Sequence, residues 1–314
     1  MRYGSSKSHL STLLAVTVPF ALPGCSVNKM AVNAVANSLS GDGTSVFMTD
    51  DDPILVAEAL PFSLKFMESI LQSTPKHEGL LISTASGFVQ YTHAFVLRPA
   101  VANEAIDYEK ARDGRARAKK LFARAQGYAE RALEVRRPGT VEGLRADLDG
   151  TLASMSAEDV KAMYWLAAAL GSAISVDKSD MELVADLPIV HGLVDRALEL
   201  DETWERGALH ELSIALAADA KSDGDGEDPV EYHYRRAMEL NEGQSIGPLV
   251  SMAESVCVQQ QDLERFRRLL GQAIEFDVNA YPDNKLANTL AQQHARWLLS
   301  QEEQLFFVTA AGIR

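Results

Sequence analysis

Three groups of residues in this sequence invite a chemical reading. The first is Asp223-Gly224-Asp225-Gly226-Glu227-Asp228, whose spaced carboxylates look like the start of a calcium loop. Such a loop needs glycine at its sixth position for the sharp turn and a bidentate acid at its twelfth. Those positions hold Asp228 and Tyr234, so the segment reads as a solvated acidic loop. The second group is the seven histidines, none of which forms a His-x-x-x-His pair; Glu231-Tyr232-His233 also lacks a ligand spacing. The sequence has no Gly-x-Ser-x-Gly elbow, phosphate-cradling glycine loop or dinucleotide fingerprint. No metal, no cofactor and no catalytic residue is expected, and the chain does not read as an enzyme.

The third group is aromatic. Tyr91, Trp165 and Trp204, with His210, Glu211 and Arg296 as polar companions, fall in helical stretches that also carry Phe88, Phe95, Tyr164 and Trp297. One reading is core packing between stacked helices, with each polar group satisfied at an edge. The other is a shared concavity, where aromatic walls and a few polar groups suit an amphiphilic small molecule. Spacing leaves both open.

The elements that must position these side chains repeat. Arg196-Ala197-Leu198-Glu199-Leu200-Asp201, Arg236-Ala237-Met238-Glu239-Leu240-Asn241 and Gln272-Ala273-Ile274-Glu275-Phe276-Asp277 are variants of one helical phrase, with alanines 40 and 36 residues apart. That spacing is close to the period of roughly 34 at which tetratricopeptide helix pairs stack. Earlier copies stand at Arg131-Ala132-Leu133-Glu134 and, more weakly, Ser69-Ile70-Leu71-Gln72. Alanine lets the second helix of a pair approach its neighbour, flanking Leu, Met or Ile fill the seam, and Asp or Asn opens the turn.

Further helices are expected from Asp50-Asp51-Asp52-Pro53 to about Gln72, from Gly79 to Leu97, and from Glu104 to Glu134, the last rich in Lys and Arg that read as a solvated face. Ser156-Ala157-Glu158-Asp159 starts another with a Ser cap, followed by helices over 183–200, 205–220, 230–240, 247–258, 262–276 and 286–305. No alternating apolar stretch supports a strand. The fold expectation is all-α: stacked helix pairs forming a degenerate tetratricopeptide-like solenoid or a closed helical shell.

At the amino end, Arg2 and Lys7 precede an apolar run, Leu10 to Leu22, too short to span a bilayer and laid out like a secretory leader. It ends Leu22-Pro23-Gly24-Cys25, which resembles a bacterial lipobox: residues 1–24 would be the leader and Cys25 the acylated mature terminus. Residues 25–49 then form a short helix and tether, and 50–314 the helical domain. Several acyl chains at about 0.8 kcal/mol per buried CH₂ give a persistent membrane anchor. Loss of Arg2 and Lys7 takes the net charge from −14 to −16, which argues against a nucleic-acid or anionic-membrane surface role. Cys257, the other cysteine, has no partner left for a disulfide and reads as a buried small hydrophobe.

Several phrases resemble the TatT component family of TRAP transporters. They are Asp52-Pro53 with Val56-Ala57-Glu58-Ala59-Leu60-Pro61-Phe62-Ser63-Leu64-Lys65; Ala85-Ser86-Gly87-Phe88-Val89-Gln90-Tyr91; Tyr164-Trp165; Arg196 to Asp201 with Gly207-Ala208-Leu209-His210-Glu211; and Leu286-Ala287-Asn288 to Arg296-Trp297-Leu298-Leu299. The resemblance implies a periplasmic, lipid-anchored, all-helical protein on degenerate tetratricopeptide units, associated with the solute-binding protein of a TRAP system and assembled as a homotrimer. Ser26 after Cys25 favours the outer membrane. Glu202 and Asn241-Glu242-Gly243 depart from the family pattern, lacking the proline that usually follows the repeat phrase. Two function classes follow: an accessory transport component that docks a solute-binding protein and lines a conduit for a small organic or amphiphilic ligand, or an envelope scaffold that binds another protein without small-molecule cargo.

Overall fold

The computed structural model describes residues 1, 24–39, 46–217 and 228–307, with side chains from residue 32 onward in the second of these stretches. Residues 2–23 of the leader, the Gly41-Asp42-Gly43 break and the acidic loop up to residue 227 lie outside the described residues, as does the side chain of Cys25.

Every regular element among the described residues is helical. In chain order these are α1 (Gly24–Leu39), α2 (Pro53–Ser73), α3 (Glu78–Thr92), α4 (Arg98–Ala102), α5 (Tyr108–Arg136), α6 (Thr140–Ala146), α7 (Leu148–Ala153), α8 (Val160–Val176), α9 (Met181–Ala185) and α10 (Leu187–Asp201). There follow α11 (Ala208–Ala217), α12 (Pro229–Asn241), α13 (Gly247–Met252), α14 (Val258–Gln260), α15 (Leu263–Glu275), α16 (Lys285–Ser300) and α17 (Glu302–Leu305). The stretch between Arg137 and Ser156, which carries no repeat phrase, holds α6 and α7.

Local chemistry sets the helix starts. Asp52, Asp107, Asp180, Asp228 and Asp262 each accept backbone N–H bonds in the first turn of the helix they precede. Ser156 and Asp159 form a reciprocal capping box before α8, with fully buried Asp159 also held by Arg137 at 3.0 Å. Part of the acidic composition is thus spent on caps.

Pairing follows the repeats. Helices α3 and α5, α8 and α10, α11 and α12, and α13 and α15 pack as successive pairs, each against the next. The repeat phrase marks the second helix of each pair, and its alanines are seam residues: Ala132, Ala197, Ala237 and Ala273 are at most 1% exposed. On α5 the same logic extends to buried Ala111, Ala118, Ala125 and Ala129, beside fully buried Phe122. Several of its basic residues are tied to acids: Arg115 to Glu104 at 2.5 Å, Lys119 to Asp177 and Asp180 at 2.6 and 2.8 Å, Arg124 to Glu68 at 2.9 Å. Leu80, Leu81, Leu133, Met163 and Leu193 fill the seams, each stabilising by about 1.5–3 kcal/mol.

The row of pairs closes on itself. Helix α16 packs onto α2, the Leu286 N–H donates to the Met48 carbonyl at 2.9 Å, and Lys285 pairs with Asp51 at 2.6 Å. First helices of the pairs, together with α16, therefore surround an interior, and the phrase-bearing second helices form the outer layer.

Candidate functional site

Two of the inner helices widen by one residue per turn. His93–Leu97, between α3 and α4, and Ala253–Cys257, between α13 and α14, are π-helical. In the first, Pro99 has no N–H to donate and its ring would crowd the carbonyl one turn back; the widened turn lets the Arg98 N–H reach the His93 carbonyl instead. π segments commonly stand at functional sites, and both of these carry polar side chains within electrostatic reach of one another.

Those side chains form one constellation. His93 hydrogen-bonds Ser172 of α8 at 2.9 Å. Arg98 donates to the Leu290 carbonyl of α16 at 3.4 Å. Glu254 meets His294 of α16 at 2.9 Å, and the ring of His294 stacks on Trp297 at 5.4 Å. Glu211 of α11 accepts from Ser251 of α13 at 3.3 Å, and its carboxylate fills the space where a Cβ on Gly247 would stand. Tyr164 lies edge-on to Trp165 at 4.9 Å and tilted against Trp204 at 4.6 Å.

The electrostatics are those of an enclosed space. His93 and Glu254 keep substantial solvent-accessible surface, 47% for the Glu254 side chain, yet burial is the largest influence on the protonation of both. Side chains can be both wet and desolvated only where they line a concavity walled by protein. Burial, reinforced by Arg98, pulls His93 down to about 4. Burial also lowers Arg98 and raises both Tyr164 and Glu211, with Ser251 and Arg98 partly offsetting the rise at Glu211. At Glu254 burial is outweighed by the His294 hydrogen bond and the charges of His294 and Arg98, so its carboxyl sits below the ordinary range.

Of the residues singled out in the sequence, Trp165, Trp204 and Glu211 come together here through Tyr164, whose protonation is influenced by Glu211. Tyr91 does not join them: it packs with Phe95 and accepts from Arg117 at 3.3 Å, next to a surface cleft of about 170 Å³ lined by Phe95, Pro99, Lys110 and Arg117. His210 is buried between α11 and α12, where its Nδ1 meets that of His233 at 2.9 Å and its Nε2 meets Glu202 at 3.4 Å. Arg296 is exposed on α16, two residues and about 200° around the helix from inward-facing His294. No group of three His, Cys, Asp or Glu side chains among the described residues is arranged to hold a metal ion.

The sequence reading missed His93, Arg98, Glu254 and His294. Two of them carried a signal: Arg98 closes an apolar, aromatic stretch, and Glu254 interrupts Met252 to Val258, each a lone charge on an otherwise buried segment.

The helix pairs thus form a closed ring around a polar, protein-walled interior. The chain belongs to the TRAP transporter T-component family, whose pattern matches residues 49–306. It is thereby a transport accessory of a TRAP system in the cell envelope. It is also similar to an uncharacterized protein of Treponema pallidum (strain Nichols), 27% identical over 301 residues that cover 90% of this chain and 93% of that one.

Proposed function

We propose that the protein is a periplasmic component, lipid-anchored through Cys25, that docks the solute-binding protein of its TRAP system and holds a small ligand inside the helical ring as it passes to or from that partner. The observation that carries this reading is the interior itself: an Arg98 guanidinium with one long hydrogen bond, within electrostatic reach of Glu211 and Glu254, and a Tyr164 packed on Trp204 within reach of the same Glu211. Core packing alone supplies no reason to desolvate Arg98 and Glu211 without an ion pair for either. An exposed apolar stripe on α2, formed by Ile54, Leu55, Phe62 and Phe66 with the two phenylalanines stacked at 6.2 Å, supports the assembly part of the reading, trimer formation included. Outer-membrane attachment follows from Ser26 after the acylated cysteine.

The test is capture of the soluble Cys25→Ser domain from envelope extract, with co-purifying proteins and small molecules read by mass spectrometry, for the parent and for Trp204→Ala. Recovery of a TRAP solute-binding protein by both, with a ligand retained by the parent and lost by the variant, is the expected result. Recovery of another envelope protein with no small molecule would replace the reading with that of a scaffold.

A further inference from the structure

The charges inside the ring are of both signs, and they are not paired with each other. Arg98 has five N–H donors and uses them on one carbonyl at 3.4 Å; it forms no ion pair among the described residues. Glu211 accepts one hydroxyl at 3.3 Å and likewise forms no ion pair there. Glu254 is different, because His294 already occupies it at 2.9 Å. Arg98 bonds Leu290, one turn before His294 on α16; His294 bonds Glu254, and Ser251, one turn before Glu254, bonds Glu211, so Arg98 and Glu211 border the same space and one small molecule can reach from one to the other.

We infer that the ring interior takes a zwitterion of the amino-acid type, its carboxylate held by Arg98 and its ammonium by Glu211, with its apolar body against Tyr164, Trp165 and Trp204. This rests on the proposed reading that the interior holds a ligand. A lone carboxylate would satisfy Arg98 but add a third acidic group beside Glu211 and Glu254. A lone amine would satisfy Glu211 but crowd Arg98. A molecule with both charges completes two charge-assisted pairs in a low-dielectric space, where each is strong and neither site is left with an uncompensated charge. The remaining groups that face this space do not upset that balance: His93 is neutral and bonded to Ser172, Ser251 and Tyr164 carry no charge at neutral pH, and His294 serves Glu254.

Two matched sets of probes test the inference on the purified full chain: L-phenylalanine with 3-phenylpropionate and phenethylamine, and 6-aminohexanoate with hexanoate and pentylamine. In calorimetric titration a zwitterion should bind at least about tenfold more tightly than either of its singly charged counterparts. Arg98→Gln should abolish the advantage over the amine, and Glu211→Gln the advantage over the acid. An acid that binds as tightly as its zwitterion, or a zwitterion whose affinity ignores both substitutions, overturns the inference. Capture of a TRAP solute-binding protein alongside either result leaves the docking role standing. Binding by no probe overturns the zwitterion assignment alone if that capture succeeds, and both readings if it also fails.

Discussion

The backbone N–H of Leu286 donates to the carbonyl of Met48 at 2.9 Å, joining residues 238 positions apart in the chain. With that bond and the packing of α16 on α2, a row of helix pairs becomes a ring. The interior exists because the row closes. Open, the same inner helices would present Arg98, Glu211 and Glu254 to bulk water, where none would be desolvated and a small ligand would gain little from any of them.

Cys25→Ser should release the protein from the membrane fraction, or leave it as an unprocessed precursor, with the folded domain unchanged. Fractionation with detection of acyl-chain labelling checks this. Continued membrane association with normal processing would sink the lipid anchor.

The seam alanines should not tolerate bulk. Ala197→Leu or Ala237→Leu should each cost about 1–3 kcal/mol by overpacking buried contacts between paired helices. Thermal melts are the measurement, and melting points equal to the parent's for both variants would contradict the seam assignment.

Gly207 should be equally intolerant for a second reason. Its φ is +90°, and an added Cβ would stand 3.0 Å from Leu240 Cβ and 3.4 Å from Ala237 Cα. Gly207→Ala should therefore lose about 1–3 kcal/mol, combining left-handed backbone strain with crowding against α12. Urea unfolding of the variant gives the value directly.

Stability should fall as pH drops from about 6.5 to about 4. Burial holds His93 and His233 at about 4 in the folded chain, against about 6.5 when unfolded, so in this window the unfolded state binds more protons. The loss begins below the unfolded value and is complete below the folded one. Glu211 acts in the opposite sense: its raised folded value means that the folded state holds the extra proton and loses stability as pH rises. Urea midpoints across this range for His93→Asn and His233→Asn separate the contributions, each variant being expected to show a shallower fall than the parent. An unchanged slope in both would show that neither imidazole is held neutral by the fold.

The sequence by itself determined the class of helices, where many of them start, and which faces meet. Asp52-Pro53, Ser156 with Asp159, and the recurring Ala132, Ala197, Ala237 and Ala273 act over a single turn or a single seam, and such local signals are written in adjacent residues. Even the family was legible in phrases of this kind. Tertiary structure alone decided what stands inside. The repeat phrase advertises the outer helix of each pair, whereas the interior groups come from the unmarked first helices and from α16, with His93 and Glu254 standing 161 positions apart. His210 and Glu211 are neighbours in sequence, yet one is buried against His233 between two helices and the other faces the interior. A rotation of about 100° per residue separates those fates, and only the closure of the ring fixes which direction is inward.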